Sequence, residues 1–539
     1  MKKIIISVIA IITLYSLQAQ ESLIAHFDKP FYVSGDIVSY DIKLPSSFAG
    51  SEVAFNNYIA DSQGNVLLQY FTNNKKKTSF NGYFTIPYSW VSDIYQLVIA
   101  GQDKTTGAEI NIAKVDIRIY NDISADPMDF SSIPMETLDI DNKISVNSSK
   151  AAYSPREKVS LTVNAARMTD ASVVVVDKKL INAKEGLKVA NVINQATPDM
   201  LNGTPYLTGR VVDSNGNPMK LNVLGVYDAK TRDMLYSKSG IDGSFQLGID
   251  SYVGNKKLHL HPYLFGEAEA LSVTIKKNTG TKASSAITID STVINYIQAS
   301  RDRKKIYQQF GKVENQLKTI VPQMVQKELK ANRSFKIGDY QSFENVAAFF
   351  NEILASELSF VLRDDGKLKA RMYNPKNRKN SNRDESSYFE KDPIFIIDNK
   401  ITQDADKIGR LPLDNITSVD LYYKVDDIRK DFGTFGGSAY AIVHTTYPNF
   451  LLDDEEEEDI ISWNGYLPKL DQISIPIEAI TADEPIFKSV LFYDAEVLSQ
   501  DGQIQFNSGD DISDYEVLVI GQNSSGQVIS GSTTFKVSY

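Results

Sequence analysis

The chain contains no cysteine among its 539 residues. This absence excludes disulfides, thiolate zinc sites, cysteine nucleophiles and a lipid anchor on an N-terminal cysteine. Histidine is also scarce, with only His26, His259, His261 and His444, so little is left for metal binding or acid–base catalysis. These shortages favour a protein that is not an enzyme.

Basic residues are in deficit. The chain has 57 Lys and Arg against 68 Asp and Glu, a formal net charge of -11, which argues against a nucleic-acid partner. The hydrophobic fraction of 42% is ordinary for folded protein, so wholesale disorder is excluded. At about 150 residues per domain, the length predicts roughly three to five domains.

Long apolar runs are absent from the chain except at the N-terminus. There, the segment from Ile4 to Leu17 is an almost unbroken apolar run. Lys2 and Lys3 precede this run and the small Ala19 follows it, a pattern typical of a secretory signal peptide over residues 1–19. The alternative, a membrane anchor, needs about 20 apolar residues. We therefore predict an exported, periplasmic protein with no transmembrane segment in the mature chain.

Residues 20–122 show the pattern of a β-sandwich. Runs rich in β-branched and aromatic residues alternate with turn signals such as Ser34-Gly35-Asp36 and Asn81-Gly82. The predicted strands include Val38–Leu44, Val53–Ile59, Val66–Phe71 and Tyr95–Ala100.

Two segments resemble macroglobulin-type domains. The sequence AHFDKPFYVSGDIVSYDIKL, residues 25–44, is similar to the opening of an MG2-like domain, and Tyr153–Val159 is similar to the Tyr-x-Pro signature of a second one. The resemblance implies immunoglobulin-like sandwiches, which remain the more general alternative. The protease trap of that family uses an internal thioester, and a chain without cysteine cannot form one.

Residues 204–278 resemble a carboxypeptidase-regulatory-like domain. The similarity rests on Gly209–Asp213, the turn Asn215–Pro218 and the step Gly240–Phe245. Such a domain is a prealbumin-like structural sandwich, and the resemblance implies no peptidase chemistry.

The region after residue 290 changes character. Residues 293–321 predict a helix with a break near Pro322. A second helix is indicated by apolar residues at helical spacing, and such a stripe is usually core: Phe343, Val346, Ala347, Phe350, Ile353 and Leu354. A hairpin across Asp365-Gly366 follows, and then residues 374–388, which are polar and predict a flexible excursion.

Residues 393–447 resemble the plug domain of TonB-dependent outer-membrane receptors. Three parts of the family pattern occur in order, at Ile394–Asp398, Leu413–Val419 and Phe432–Thr446. The motif positions to which we assign a structural role are Asp398, Gly433, Gly436, Gly437 and Thr445. This chain departs from the family at Asn399, where a glycine is usual, and at residues 424–427, which replace an alanine-rich segment.

The last segment, residues 460–539, is similar to a terminal macroglobulin-like sandwich. The acidic run Asp453 to Asp459 before it is interpreted as a solvated linker, with a weak calcium site as the alternative. Together these patterns predict a mainly β multidomain chain, with several immunoglobulin- or macroglobulin-like sandwiches and a small α+β plug-like domain. The predicted order is signal peptide 1–19, first macroglobulin-like sandwich 20–122, second macroglobulin-like unit 143–203, regulatory-like sandwich 204–278, helical connector 290–340, plug-like domain 341–448 and C-terminal sandwich 460–539.

We find no pattern that predicts catalysis. The nucleophile elbow, the zinc-protease helix and the P-loop are missing. His259 and His261 would share one face of a strand, so a metal site competes with a plain strand face, and no third ligand lies close in sequence. Asp364-Asp365 and Asp510-Asp511 occur in turn contexts, where Asp is favoured for backbone reasons. We therefore predict no catalytic residues, no cofactor and no metal.

The domain order resembles a family of Bacteroidota envelope proteins with macroglobulin-like domains and a degenerate plug domain. Too few residues follow the plug-like block to build a barrel. The resemblance therefore implies a periplasmic accessory protein that docks on an outer-membrane β-barrel protein or translocon. In its specific form, the hypothesis is that it occludes a type 9 secretion translocon or a TonB-dependent transporter. The alternatives are a free periplasmic or surface module that binds glycans or proteins, and, less favoured, a hydrolase.

Overall fold

The computed structural model describes residues 23–123, 138, 140–164, 168–220, 222–228, 230–249, 252–263, 271–275, 287, 289–312, 319–320, 326–340, 343–374, 388–398, 400–433, 438–446, 460–470, 473–475, 485–497, 502–523 and 525–539. The described residues fall into two compact units. The first comprises those within Met1–Pro205, Asn278–Val321 and Gly465–Tyr539, and the second those within Tyr206–Lys277 and Pro322–Asn464.

Strands dominate both units. In chain order, the strands up to residue 192 are β1 Ile24–Phe27, β2 Phe31–Val33, β3 Ile37–Lys43, β4 Ala54–Ala60, β5 Val66–Asn73, β6 Ser79–Thr85, β7 Asp93–Gln102, β8 Glu109–Tyr120, β9 Ser145–Ser148, β10 Ala152–Tyr153, β11 Lys158–Asn164, β12 Met168–Asp177, β13 Leu187–Val189 and β14 Asn191–Val192. The elements between residues 206 and 372 are β15 Tyr206–Asp213, β16 Val223–Asp228, β17 Asp233–Lys238, β18 Ser244–Gly248, β19 Asn255–Tyr263, β20 Leu271–Ile275, α1 Ser291–Gln309, β21 Thr319–Ile320, β22 Arg333–Lys336, α2 Val346–Ile353, β23 Leu358–Leu362 and β24 Leu368–Met372. The remaining elements are β25 Ile394–Ile397, β26 Lys400–Thr402, α3 Ala405–Gly409, β27 Ile416–Tyr422, α4 Val425–Phe432, β28 Tyr440–Thr445, β29 Ile460–Asn464, β30 Lys469–Leu470, β31 Val490–Asp494, β32 Gln503–Asn507, β33 Asp514–Asn523 and β34 Val528–Val537.

The first sandwich of unit one agrees with the sequence pattern. One sheet has the order β13-β1-β3-β6 and the other β14-β8-β7-β4-β5, with β2 also paired to β8. Its core is aliphatic and aromatic, because β-branched and aromatic side chains pack well between two pleated sheets. The short strands β13 and β14 extend both sheets, so residues 187–192, predicted to belong to the second macroglobulin-like unit, pair with the first sandwich.

The second sandwich corrects the predicted domain order. Its sheets have the orders β10-β34-β33-β12-β31 and β32-β11-β9, so residues 145–177 and 490–537 form one sandwich rather than two. In the predicted C-terminal domain, β29 pairs with β19 of the second unit instead. Sequence patterns missed this because strand pairing is decided by the tertiary fold and leaves no periodicity in either segment.

The predicted helical connector is shorter than expected. Helix α1 ends at Gln309, and Gly311 then has φ of 67°. A glycine in this left-handed conformation is a common helix terminator, so α1 stops well before Pro322. Strand β22, inside the predicted connector, pairs with β27 and belongs to the next module.

Unit two contains a third sandwich and an α+β module. The third sandwich combines the sheets β18-β15-β20 and β17-β16-β19-β29. The α+β module, which we define as residues 326–446 where described, has the sheet order β22-β27-β28-β25-β26, with β25 and β28 parallel, and the separate hairpin β23–β24. The hairpin predicted across Asp365-Gly366 is confirmed.

Helix α2 confirms the predicted core stripe only in part. The Asn345 side chain accepts a hydrogen bond from the Ala348 N–H and sets the start of the helix. From this start, Phe349 and Phe350 both turn inward and are buried, whereas Ile353 is exposed. The prediction therefore omitted one core residue, Phe349, and included one surface residue.

Several predictions fall on residues outside the described set. They concern the signal peptide, residues 375–387 of the polar excursion, the acidic run Asp453 to Asp459, and Gly436 and Gly437. Among the described residues, no helix has both the length and the apolar character needed to cross a membrane.

Candidate functional site in the α+β module

The structure brings together two of the predicted motif positions, Asp398 and Thr445. Strands β25 and β28 are parallel, with Ile397 opposite Val443, so the residues that follow these positions lie side by side at the C-terminal ends of the two strands. The Thr445 hydroxyl donates a hydrogen bond to Asp398 Oδ1. Asp398 Oδ2 is buried and has no hydrogen-bond partner among the described residues.

Asp398 also has an unusual backbone conformation. Its φ is 46°, in the left-handed region that non-glycine residues rarely enter. Asp tolerates this region better than most residues because its short side chain can form local hydrogen bonds. The turn after β25 therefore begins at Asp398, next to Asn399, which the sequence marked as a departure from the family and which lies outside the described residues.

Gly433 occupies a position that other residues could not fill easily. It follows the end of α4 with φ of 76°, and a Cβ built on it would lie 3.0 Å from Cε2 of Tyr236. Both the backbone conformation and the close approach require glycine. The motif position predicted from sequence thus serves packing against the third sandwich.

An aromatic cluster surrounds this contact, and sequence reasoning did not find it. Phe432 stacks on Tyr440 with ring centroids 4.2 Å apart, and Tyr422 meets Phe432 edge-on. The hydroxyls of Tyr236 and Tyr440 are 2.9 Å apart. Burial, reinforced by the Tyr440 hydroxyl, raises the pKa of Tyr236 far above its ordinary value, so the Tyr236 hydroxyl stays neutral.

The cluster makes the α+β module and the third sandwich share one core. Tyr227 of β16 belongs to the same hydrophobic cluster as Phe432, and Val223, Met234 and Tyr236 pack against it. The face formed by α4 and Gly433 is therefore covered within unit two. The outward face of α4 stays exposed at Asp426, Arg429 and Lys430.

A second candidate surface of the module is the β23–β24 hairpin with the end of α2. Leu362 is 65% exposed, and Val361 and Ile353 are also exposed. Charges of both signs lie around the hairpin in pairs, as in Arg410 with Asp406 at 2.8 Å. The exposed aliphatic side chains thus lie at the end of β23, beside a hairpin turn that carries charges of both signs.

The histidines form structural contacts. His444 Nε2 lies 2.9 Å from Asp420 Oδ2. Burial opposes ionisation of Asp420, but hydrogen bonds from His444 and Ser334 outweigh it and hold the pKa of this carboxyl below its usual value. His26 Nδ1 is 2.8 Å from the Ser172 hydroxyl, deep inside unit one.

His259 and His261 lie on the same face of β19, as predicted, and both are half-buried. Burial lowers the pKa of His261 to about 4, so it is neutral at physiological pH. Within the described parts of the chain, no cluster of three or more His, Asp or Glu residues is arranged to hold a metal.

The two carboxylates of the Asp510-Asp511 pair bind different partners. Asp510 accepts two hydrogen bonds from Arg156, at 2.7 and 2.8 Å, while Asp511 accepts one from the Lys488 N–H. The Arg156 guanidinium holds the pKa of Asp510 below its usual range despite partial burial. Asp364 and Asp365 lie exposed in the hairpin turn. Neither arrangement resembles a catalytic acid–base pair.

The Asp28-Lys29 motif builds a buried polar network in unit one. Asp28 Oδ1 accepts hydrogen bonds from the Tyr32 hydroxyl and the Ser39 N–H, at 2.7 and 2.9 Å. Lys29 forms an ion pair with Asp36 and lies 3.1 Å from the Tyr296 hydroxyl of α1. The motif thus attaches helix α1 to the first sandwich.

No family model matches this chain, and no curated protein matches it. Among solved structures it is similar to Escherichia coli alpha-2-macroglobulin in its native conformation, with 8% identity over 96% of this chain and 40% of that one, and a TM-score of 0.23. Salmonella alpha-2-macroglobulin reacted with methylamine gives 8% identity over 95% of this chain and 39% of that one, with a TM-score of 0.21. The Yersinia pseudotuberculosis adhesin InvE gives 11% identity over 48% of this chain and 60% of that one, with a TM-score of 0.13.

The chain therefore spans about 40% of the length of the E. coli protein it matches. These similarities are too low to support a conclusion about activity. The expectation of a mainly β, multidomain chain is confirmed by the sheets themselves. The identification of a regulatory-like domain and of a plug domain stays a prediction.

Proposed function

We propose that this protein is a non-enzymatic, exported accessory protein that docks on an outer-membrane β-barrel complex through its α+β module. The observation that carries the proposal is the exposure of two aliphatic residues at the end of β23, Val361 and Leu362, on a module in which the inward face of α4 is already covered. The plug-like motif supports the same module as the contact. The specific form of the proposal remains occlusion of a type 9 secretion translocon or of a TonB-dependent transporter from the periplasmic side.

Placing the contact at the hairpin has a physical reason. Leu362 lies opposite Leu368 across the hairpin, and exposed aliphatic side chains gain free energy when a partner removes them from water. Charged side chains of the hairpin form ion pairs within the module, such as Lys369 with Asp392 at 3.4 Å. A polar rim around an apolar centre is typical of protein–protein contact surfaces.

The glycan-binding alternative is less well supported. Sugar rings stack on exposed aromatic faces, and the chain has only two tryptophans. Trp463 is buried, and Trp90 stacks against Tyr95 with ring centroids 4.7 Å apart. A hydrolase lacks support for a different reason, since Asp510 is held by Arg156 and His444 by Asp420, and neither arrangement is that of a catalytic acid–base pair.

The test is a gentle-detergent pull-down of a tagged copy expressed from its own locus and read by mass spectrometry. We expect one outer-membrane barrel in near-stoichiometric amount with the wild type, and its loss with the Val361→Ser/Leu362→Ser double variant. The matched control is Ile241→Ser, which removes another exposed aliphatic side chain from the same unit. Recovery of the wild-type protein alone, in the soluble periplasmic fraction, would contradict docking.

A further inference from the structure

Unit one carries a second exposed apolar surface, which no motif pointed to. The loop between β6 and β7 presents Tyr88 and Val91 to solvent, with Trp90 half-buried between them. Ile123, just after β8, is 65% exposed. We call Tyr88, Trp90, Val91 and Ile123 the aromatic tip.

Hydrogen bonds hold the aromatic tip together before any ligand arrives. The Asn121 side-chain amide donates to the carbonyls of Trp90 and Tyr88, at 2.8 and 3.2 Å. Its Oδ1 accepts from the Ile123 N–H at 3.0 Å. One side chain thus brings the loop and the end of β8 side by side, so the surface is preorganised.

The support beneath the tip is equally specific. The Tyr88 ring lies over the turn at Gly35, where a Cβ would be 2.6 Å from the Tyr88 hydroxyl oxygen. Trp90 has one ring face against Tyr95. Val91 and Ile123 are therefore the outermost members, at 58% and 65% exposure.

Basic residues of α1 flank the aromatic tip. Lys304 Nζ lies 5.7 Å from the centre of the Tyr88 ring and 2.5 Å from Asp122 Oδ2. Arg301 Nε donates to the Asp122 carbonyl at 2.5 Å, which places an exposed arginine beside Ile123. Lys305, one residue along the helix from Lys304, is largely exposed, and its Nζ lies 3.9 Å from Oδ1 of the exposed Asp302. The border of the tip thus holds the cations Arg301, Lys304 and Lys305 against the anions Asp122 and Asp302, which leaves a small excess of positive charge.

We propose that the aromatic tip binds an anionic phospholipid surface, with Val91 and Ile123 entering the headgroup boundary and Arg301 and Lys305 facing the phosphates. Tyr and Trp prefer the membrane–water interface, and aliphatic side chains beside Lys or Arg are typical of reversible interfacial binding. The chain as a whole is acidic, but charges more than about 8 Å away are screened at physiological ionic strength.

Two other ligands fit the surface less well. A sugar would need an open aromatic face, whereas the most exposed members here are aliphatic. A protein interface of standard size uses about 20–30 residues on each side, far more than this tip offers. A bilayer requires only a few inserted side chains. The inference goes beyond the proposed barrel partner and is tested without it.

The experiment uses the full-length mature protein with Trp463→Phe, which leaves Trp90 as its only tryptophan. Phosphatidylcholine vesicles with and without phosphatidylglycerol are added, and Trp90 emission and co-sedimentation are measured. We expect a blue shift and sedimentation with the phosphatidylglycerol vesicles. The Val91→Ser/Ile123→Ser variant should bind these about tenfold or more weakly, and Lys305→Gln about fivefold.

The matched control is Leu67→Ser/Val189→Ser, which removes two exposed aliphatic side chains from edge strands of the same sandwich and should leave binding unchanged. Equal binding to both vesicle types would overturn the anionic-lipid assignment. Absence of sedimentation and of any Trp90 shift would overturn the proposal, as would a shift caused by soluble oligosaccharides but not by vesicles. Because no barrel is present, none of these outcomes depends on the proposed docking function.

Discussion

The hydroxyls of Tyr236 and Tyr440 lie 2.9 Å apart although 204 positions separate the two residues in the chain. Tyr236 belongs to β17 of the third sandwich and Tyr440 begins β28 of the α+β module. Because both rings are largely enclosed, their hydrogen bond forms away from bulk water, where an unmade bond is costly. This contact is one reason why the two parts of unit two fold as one.

Removing one of these hydroxyls should destabilise unit two. For Tyr236→Phe and for Tyr440→Phe we expect a loss of about 1 kcal/mol each in the free energy of unfolding. The double variant should lose less free energy of unfolding than the two single variants combined, because both remove the same hydrogen bond. Urea unfolding followed by Trp463 fluorescence in a Trp90→Phe background reports on this unit, and strictly additive losses would refute the coupling.

Replacing Gly433, which follows α4, should destabilise unit two. Gly433→Ala adds a Cβ only 3.0 Å from the Tyr236 ring and places alanine at φ of 76°, so we expect a loss of about 2 kcal/mol. Gly366→Ala in the hairpin turn is the control, because its φ is 79° and a Cβ there meets nothing within 4 Å. It should show only the backbone cost, about 1 kcal/mol. Equal losses in the free energy of unfolding at the two positions would show that the Tyr236 ring moves aside without cost.

Unit one should lose stability in acid through His26. Burial, aided by the charge of Lys43, lowers the pKa of His26 from 6.5 to about 3. Between these two pKa values, the unfolded chain therefore binds a proton at His26 that the folded chain does not bind. The stabilisation is complete above the unfolded pKa of 6.5 and falls as pH drops toward 3, by at most about 1.4 kcal/mol per pH unit.

Asp28 acts in the opposite direction. Burial raises its pKa from 3.8 to about 6, although Lys29, Tyr32 and Ser39 favour the charged form. Its contribution is complete below pH 3.8 and is lost as pH rises through 6, so acidification stabilises the fold through this group. Urea midpoints followed by Trp90 in a Trp463→Phe background, measured from about pH 6.5 down to about pH 4, should fall less steeply for His26→Gln and more steeply for Asp28→Asn. Parallel curves for all three proteins would show that neither group controls the acid response.

Sequence patterns predicted secondary structure correctly where local residue preferences decide it. The predicted strand Val66–Phe71 corresponds to β5, Val66–Asn73, because β-branched and aromatic runs between turn residues favour extended chain. At the α+β module, the motif singles out Asp398, Gly433 and Thr445, and the structure gives these three a turn, a close backbone approach and a hydrogen bond, whereas their role as plug-motif positions stays a prediction. Phe349 was missed because the inward face of α2 depends on where its N-cap starts the helix.

Other features could be seen only in three dimensions. No spacing in the sequence pairs β12 with β33, or places Tyr236 against Gly433, because the hydrophobic effect is non-directional and many strands could satisfy the same pattern. The aromatic tip likewise cannot be seen in the sequence, since the hydrogen bonds of Asn121 to Trp90 and Ile123 are what bring the β6–β7 loop beside the end of β8. Composition and motif therefore determined the class of fold and the residues of the plug-like motif. The tertiary structure decided which segments share a sandwich, which faces are covered and which remain for partners, because these follow from long-range packing and not from local preference.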